Sequence, residues 1–155
     1  MGTIGGRDPG AQLGGGRCAV ACGSVKLVID ASVAVAASAT GVGFARFRGI
    51  ELVAPPLLWI ELVSALHAAM WRDELRRDQA ESMLQRAFAA PIERVEPASL
   101  PTDSWAVADR FGWAKTYDAN YIALAQVLGC RLVTLDARLR RGTARLGLVI
   151  GPTEL

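Results

Sequence analysis

Four acidic side chains stand where an acid has chemistry open to it. Asp30 directly follows Leu27-Val28-Ile29, and Asp136 directly follows Leu132-Val133-Thr134-Leu135. Each therefore leaves the carboxyl end of an expected strand, the edge at which open α/β sheets bind their ligands. Asp118 comes after Thr116-Tyr117, at the start of an expected helix. These three aspartates have a second account, because aspartate entering a helix is a favoured N-cap. Glu61 has none. Its neighbours at three and four residues are Leu57, Leu58, Ser64 and Ala65, and no lysine or arginine stands at a spacing that pairs with it. Either it points outward from an unusually apolar helix or it faces a cation, since a charge on an apolar face is costly unless neutralised.

Four carboxylates around one pocket repel and raise one another's pKa unless a divalent cation compensates. Oxygen ligands without histidine or thiolate select a hard ion, Mg²⁺ or Mn²⁺. The chemistry such a set serves is phosphodiester hydrolysis, with activation of a water and neutralisation of the developing oxyanion. Ser32 and Thr134 each lie two residues from a strand-end aspartate. Their hydroxyls are placed to hydrogen-bond the carboxylates or a metal-bound water. Ordinary capping and strand hydroxyls explain them equally well.

The elements that must position these residues follow from apolar periodicity. Val25–Ile29 is a short run, apolar apart from Lys26, as in a strand covered on both faces of a parallel sheet. Small helices follow over Ala31–Ser38 and Gly43–Phe47. Glu51–Ala54 reads as a second strand stopped by Pro55-Pro56, with Pro56 opening a helix to about Trp71. Ala80, Met83, Leu84, Ala87 and Phe88 recur at helical spacing, and Asp78 with Glu81 resembles a capping pair. Ile92–Val95 is an expected third strand, followed by a loop holding Pro97 and Pro101. Asp103–Trp113 and Asp118–Leu128 read as helices, the second with Tyr117, Tyr121, Leu124, Ala125 and Leu128 on one stripe and Gly129 ending it. Arg131–Leu135 is a strand, Ala137–Gly142 a short helix and Leu148–Ile150 a last strand. This β-α alternation predicts a parallel sheet covered by helices.

Within these elements the blocks around the acids carry a resemblance. Val28-Ile29-Asp30-Ala31-Ser32-Val33 looks like the opening of PIN domains, and Glu61 falls in the first long helix, as their second acid does. Thr116-Tyr117-Asp118-Ala119-Asn120-Tyr121-Ile122-Ala123-Leu124-Ala125 is similar to the block bearing their third acid. Leu132-Val133-Thr134-Leu135-Asp136 resembles the block bearing the fourth. The match spans about residues 25 to 150 and is most similar to VapC toxins of bacterial VapBC toxin–antitoxin modules. It implies a single-domain, Rossmann-like parallel sheet flanked by helices, and Mg²⁺- or Mn²⁺-dependent cleavage of structured RNA. It also implies a homodimer and inhibition by a small VapB-like antitoxin. Carried over by position, the metal-site and catalytic acids are Asp30, Glu61, Asp118 and Asp136, with Ser32 and Thr134 as supporting hydroxyls. One departure is Arg138, which stands where some members place an extra acid and leaves open how a second metal ion is held.

Arg138, Arg140, Arg141 and Arg145 cluster after Asp136 and are candidates for holding RNA phosphates. A solvated helix face is the ordinary reading of such a run. Trp59, Trp71, Trp105 and Trp113 suit core or dimer packing, or stacking on bases. The helix Pro56–Trp71, apolar on nearly every face, adds to the expectation of a homodimer. His67 reads as packing, since no second base or nucleophile surrounds it.

The remaining composition bounds the rest. At 155 residues, 52% hydrophobic and 21% charged, the chain is one globular domain. A net charge of +2 does not announce a nucleic-acid binder without a local basic patch. No apolar run approaches the ~20 residues of a membrane span. Residues 1–24 hold eight of the sixteen glycines and almost no large apolar residue, and are expected to form a flexible extension ahead of a nuclease domain over residues 25–155. Ala19-Val20-Ala21 lacks the apolar core that an export signal needs, and natural translation starting near Val25 stays open. Cys18, Cys22 and Cys130 make neither a disulfide framework nor a zinc site, which fits a reducing, cytoplasmic compartment.

Other classes fit less well. A haloacid-dehalogenase-type phosphotransferase needs a second aspartate two positions after the first, where Ser32 stands. A receiver domain wants paired acids near the first strand and a late lysine, but the lysines are Lys26 and Lys115. A dinucleotide-binding turn needs glycines after the first strand, and here they precede it. A housekeeping RNA-processing nuclease without an antitoxin is the nearer alternative; a non-catalytic scaffold of the same fold has no need of all four acids.

Overall fold

Leu27, Val28 and Ile29 are consecutive and all buried, which happens only when both faces of a strand are covered. They belong to β1 (Val25–Ile29), the central strand of the computed structural model, which describes residues 25–155. The glycine-rich stretch 1–24, with Cys18 and Cys22, lies outside the described residues.

Five strands form one parallel sheet in the order β3-β2-β1-β4-β5, where β2 is Ile50–Ala54, β3 Ile92–Arg94, β4 Arg131–Val133 and β5 Val149–Ile150. Val28 pairs with Val53 on one side and Leu132 on the other, and Leu132 pairs onward with Val149. The chain therefore steps from β1 outward to β2 and β3, then returns to β1's other flank for β4. That reversal opens a crevice between the carboxyl ends of β1 and β4.

The helices are α1 (Ala31–Ser38), α2 (Leu57–Trp71), α3 (Arg77–Phe88), α4 (Leu100–Phe111), α5 (Tyr117–Leu128) and α6 (Ala137–Gly142). α1, α2 and α3 pack on one another, whereas α4 pairs with α5, which lies against β1 and β4. Residues Ala119 and Tyr121–Ala125 of α5 are buried, so this helix is core on most of its circumference. Gly129 takes a left-handed conformation (φ 62°) and terminates it, the backbone state a glycine tolerates best.

Four local expectations are corrected. α3 begins at Arg77, and its opening amide at Arg76 is taken by the Gln79 side chain at 2.9 Å. Asp78 and Glu81 are not a capping pair: Asp78 binds Arg76 at 2.6 Å, and Glu81 faces Arg77. α4 starts at Leu100, with Pro101 inside its first turn, where a missing N–H costs nothing. Gly112 stops it before Trp113, which turns back to stack on Phe111 at 4.9 Å. β4 ends at Val133: the Thr134 amide still reaches the Ile150 carbonyl at 3.0 Å, but those of Leu135 and Asp136 are diverted to the Ser32 and Thr134 hydroxyls at 3.0 and 2.9 Å. His67 is exposed on α2 rather than packed.

Candidate active site

The carboxyl ends of β1 and β4 deliver Asp30 and Asp136 to the two sides of the crevice, and each caps the helix that follows. Asp30 Oδ1 accepts from the Val33 amide at 3.0 Å, and Asp136 Oδ1 accepts from the Arg138 and Leu139 amides at 2.7 and 3.1 Å. The cap account and the site account hold together, because a cap uses one carboxylate oxygen. Asp118 makes no cap bond; it is the second residue of α5, where the helix dipole favours negative charge.

Asp30 is buried and held from three directions. The Ser32 hydroxyl donates to Oδ1 at 2.6 Å, and the Thr134 hydroxyl donates to Oδ2. Those two hydroxyls also receive bonds: Ser32 from the Leu135 amide and Thr134 from the Asp136 amide, at 3.0 and 2.9 Å. Thr134 is fully buried, so its loss strands a carboxylate oxygen and an amide. Thr134→Val is expected to destabilise the fold by about 1–3 kcal/mol, and Thr134→Ser by much less. Urea unfolding measures this; an unchanged midpoint in the valine variant would show that the network contributes nothing.

Glu61 turns off α2 into the same crevice, where it is half-buried and its Oε2 accepts a 2.6 Å hydrogen bond from the Tyr121 hydroxyl. The resulting cleft, about 450 Å³, is lined by Asp30, Ser32, Glu61, Asp118, Tyr121 and Asp136 with Ala31, Val35 and Ala65. All four expected acids thus share one cleft. They surround it without touching: among the described residues no three His, Cys, Asp or Glu side chains form a ready-made ligand cage.

The charges are felt. Burial chiefly pushes the Glu61 carboxyl above its ordinary range; the Tyr121 bond opposes this and the charges of Asp118 and Asp30 add to it. Burial likewise chiefly raises Asp118, with the charges of Asp136 and Asp30 adding to it and Arg138 pulling the other way. Burial and the bond to Glu61 push the Tyr121 phenol far up. An all-oxygen donor set carrying unrelieved negative charge fits a hard divalent cation. The open arrangement suits Mg²⁺, which takes one or two carboxylates and keeps several waters.

Of the basic cluster, Arg138 is the member whose charge reaches the acids. Arg140 binds Glu154 at 3.3 Å and, with Arg141, borders a separate groove beside α6 and β5. Arg145 lies over the Phe111 ring at 4.5 Å and donates to the Arg110 carbonyl. Trp59 is covered by Arg94 at 4.7 Å, while Trp71 and Trp105 are exposed. Sequence reasoning missed Tyr121, which it placed on the apolar stripe of α5. The available signal was a phenol inside a core helix, which needs a polar partner.

Comparison with known proteins places this geometry. A model of the PIN domain matches residues 27–144. The chain is 33% identical over 129 residues to a protein of Mycobacterium bovis named VapC ribonuclease Mb0985, covering 81% of this chain and 98% of that one. A second relative, named Ribonuclease VapC3, from Pyrobaculum aerophilum, is 32% identical over 122 residues, covering 74% and 92%. The crystal structure of PAE2754 from Pyrobaculum aerophilum superposes with a TM-score of 0.66 at 24% identity, over 84% of this chain and 92% of that one. A sheet of this order, a cleft at its reversal point and a family match across most of the described residues agree: the chain belongs to the PIN-domain family, among relatives named VapC ribonucleases.

Proposed function

We propose that this chain is a divalent-metal-dependent endoribonuclease, the toxin of a toxin–antitoxin pair, with Asp30, Glu61, Asp118 and Asp136 as its metal-site acids. The observation that carries this reading is the meeting of those four carboxylates in one cleft at the reversal point of the sheet. The word ribonuclease in the names of the relatives supports the substrate class, and their being named VapC supports the toxin reading through the resemblance of the acid-bearing blocks to VapC toxins.

Each residue has a distinct part. Asp30, fixed by three donors, provides a carboxylate that does not move. Glu61 is tethered through one oxygen, while Asp118 and Asp136 reach solvent and meet the substrate side. A bound Mg²⁺ or Mn²⁺ supplies water activation and charge neutralisation at the scissile phosphate. An RNA backbone entering a cleft of four acids also needs cations at the rim, and Arg138 stands beside Asp118 for that purpose. Arg140 and Arg141 serve phosphates farther along the strand. Exposed Ile60, Val63 and Trp71 on α2, with Trp105 on α4, provide apolar surface for a homodimer or a VapB-like antitoxin. No helix among the described residues is long and apolar enough to cross a membrane; action on RNA in the cytoplasm completes the reading.

Purified protein is expected to cut structured RNA with Mg²⁺ or Mn²⁺ and to stop when EDTA is added. Equal cleavage with and without the cation overturns the mechanism. Co-purification with a small protein encoded just upstream identifies the toxin; active protein without such a partner is a processing nuclease instead.

A further inference from the structure

We infer that Tyr121 is a positioning residue, whose hydroxyl fixes Glu61 in the orientation that binds the divalent cation; this rests on the metal-site reading above. Tyr121 is 2% exposed, and its hydroxyl reaches Glu61 Oε2 at 2.6 Å. Among the described residues this is the hydrogen bond Glu61 receives, and Oε1 accepts none. A glutamate on a helix face has three side-chain torsions to settle, and ordering them costs conformational entropy. One short bond from a rigid ring settles them while leaving the second oxygen for the cleft.

The placement of the ring adds to this. Tyr121 stands three residues after Asp118, on the same side of α5, so one helix presents an acid of its own and holds the acid of α2. The separation between Glu61 and Asp118 is then set by a single covalent element and one hydrogen bond. The opposite reading is that Glu61 merely satisfies a buried phenol. Glutamine would do that equally well, without adding charge beside Asp118 and Asp30.

That contrast defines the test. Mn²⁺ binding to the RNA-free protein is followed by the electron paramagnetic resonance signal of free Mn²⁺, for wild type, Tyr121→Phe, Glu61→Gln, the double variant and Asp30→Asn. Tyr121→Phe is expected to bind Mn²⁺ about 10–100-fold more weakly, the usual scale for losing a residue that orients a ligand. In the Glu61→Gln background the same change is expected to alter affinity by less than about 2-fold, because the residue acts through Glu61. Unchanged affinity in Tyr121→Phe, or an equal loss in both backgrounds, overturns the inference. The metal-site reading survives that result if Asp30→Asn still loses Mn²⁺, and Glu61→Gln binding as wild type removes Glu61 from both. Should Tyr121→Phe fail to fold, Tyr117→Phe leaves Tyr121 as the single tyrosine, and Mg²⁺ is expected to shift its ultraviolet resonance Raman bands. Bands that stay fixed as Mg²⁺ saturates the protein overturn the inference as well.

Discussion

Asp30→Asn is expected to lower RNA cleavage by on the order of 10²–10³-fold, the scale seen when one preorganised electrostatic group leaves an active site, with little loss of fold. Asparagine caps a helix as well as aspartate does, so the bond to the Val33 amide survives through its carbonyl oxygen. The other position becomes an amide nitrogen facing the Thr134 hydroxyl, which must then turn from donor to acceptor. The negative charge that Asp30 contributes at the centre of the cleft disappears, leaving those of Glu61, Asp118 and Asp136. Glu61→Gln, Asp118→Asn and Asp136→Asn are expected to lose activity on a similar scale. Initial rates on one RNA substrate, with circular dichroism as the folding control, give the comparison. Cleavage near the wild-type rate in Asp30→Asn would end the case for a shared acid site.

Mg²⁺ is expected to raise the melting temperature at neutral pH, by an amount that shrinks in acid. The sign follows from Glu61 and Asp118, whose folded pKa values lie above their unfolded ones. Such groups contribute stability that is fully present below the unfolded carboxylate value and lost as pH rises through the raised folded value. At neutral pH the metal-free cleft therefore works against the fold, and a cation that binds the ionised acids reverses the effect. At one hundred times its dissociation constant a ligand adds about 2.7 kcal/mol. For a chain of this size that is roughly 5–10 °C. As pH falls through the raised values, protons displace the cation and the increment disappears. Thermal melts with Mg²⁺ and with EDTA across a pH series measure it. The same logic makes Asp118→Asn and Glu61→Gln more stable than wild type without metal, while inactive. A neutral-pH melt indifferent to Mg²⁺ would contradict the charge-crowded cleft.

Much of this architecture was legible in the chain because its causes are local. The apolar runs at Leu27-Val28-Ile29 and Leu132-Val133 mark strands covered on both faces, and strand-end aspartates mark the edge where ligands bind. Glu61 stood out because nothing near it in sequence explained its charge. What escaped was decided at long range. Glu61 and Tyr121 lie sixty positions apart, and helical periodicity assigns a tyrosine on a buried stripe to packing. β4 looked two residues longer because Thr134 and Leu135 have strand-like side chains; the Ser32 hydroxyl, 103 positions away, takes the Leu135 amide instead. The arginine cluster is contiguous in sequence but divides in space, Arg140 being drawn to Glu154 and Arg145 to Phe111.

The hydroxyl pair at the mouth of β1 and β4 has a consequence for how such sequences can drift. Ser32 grips its own aspartate and the backbone before Asp136, while Thr134 grips Asp30 and the backbone of Asp136 itself. The two junctions are laced together, so a substitution on one side is felt as misregistration on the other. Residues 30–32 and 134–136 therefore behave as one heritable unit. Changes there that remove one of these bonds should be felt by the others, with coupling energies of about 0.5–3 kcal/mol between them, whereas changes that keep the bonds, such as Asp30→Asn or Thr134→Ser, are tolerated singly by the fold. The wall formed by Glu61 and Asp118 has no such lacing to the strand ends, and leaves room for the cleft to be retuned from α2 and α5 without disturbing the sheet.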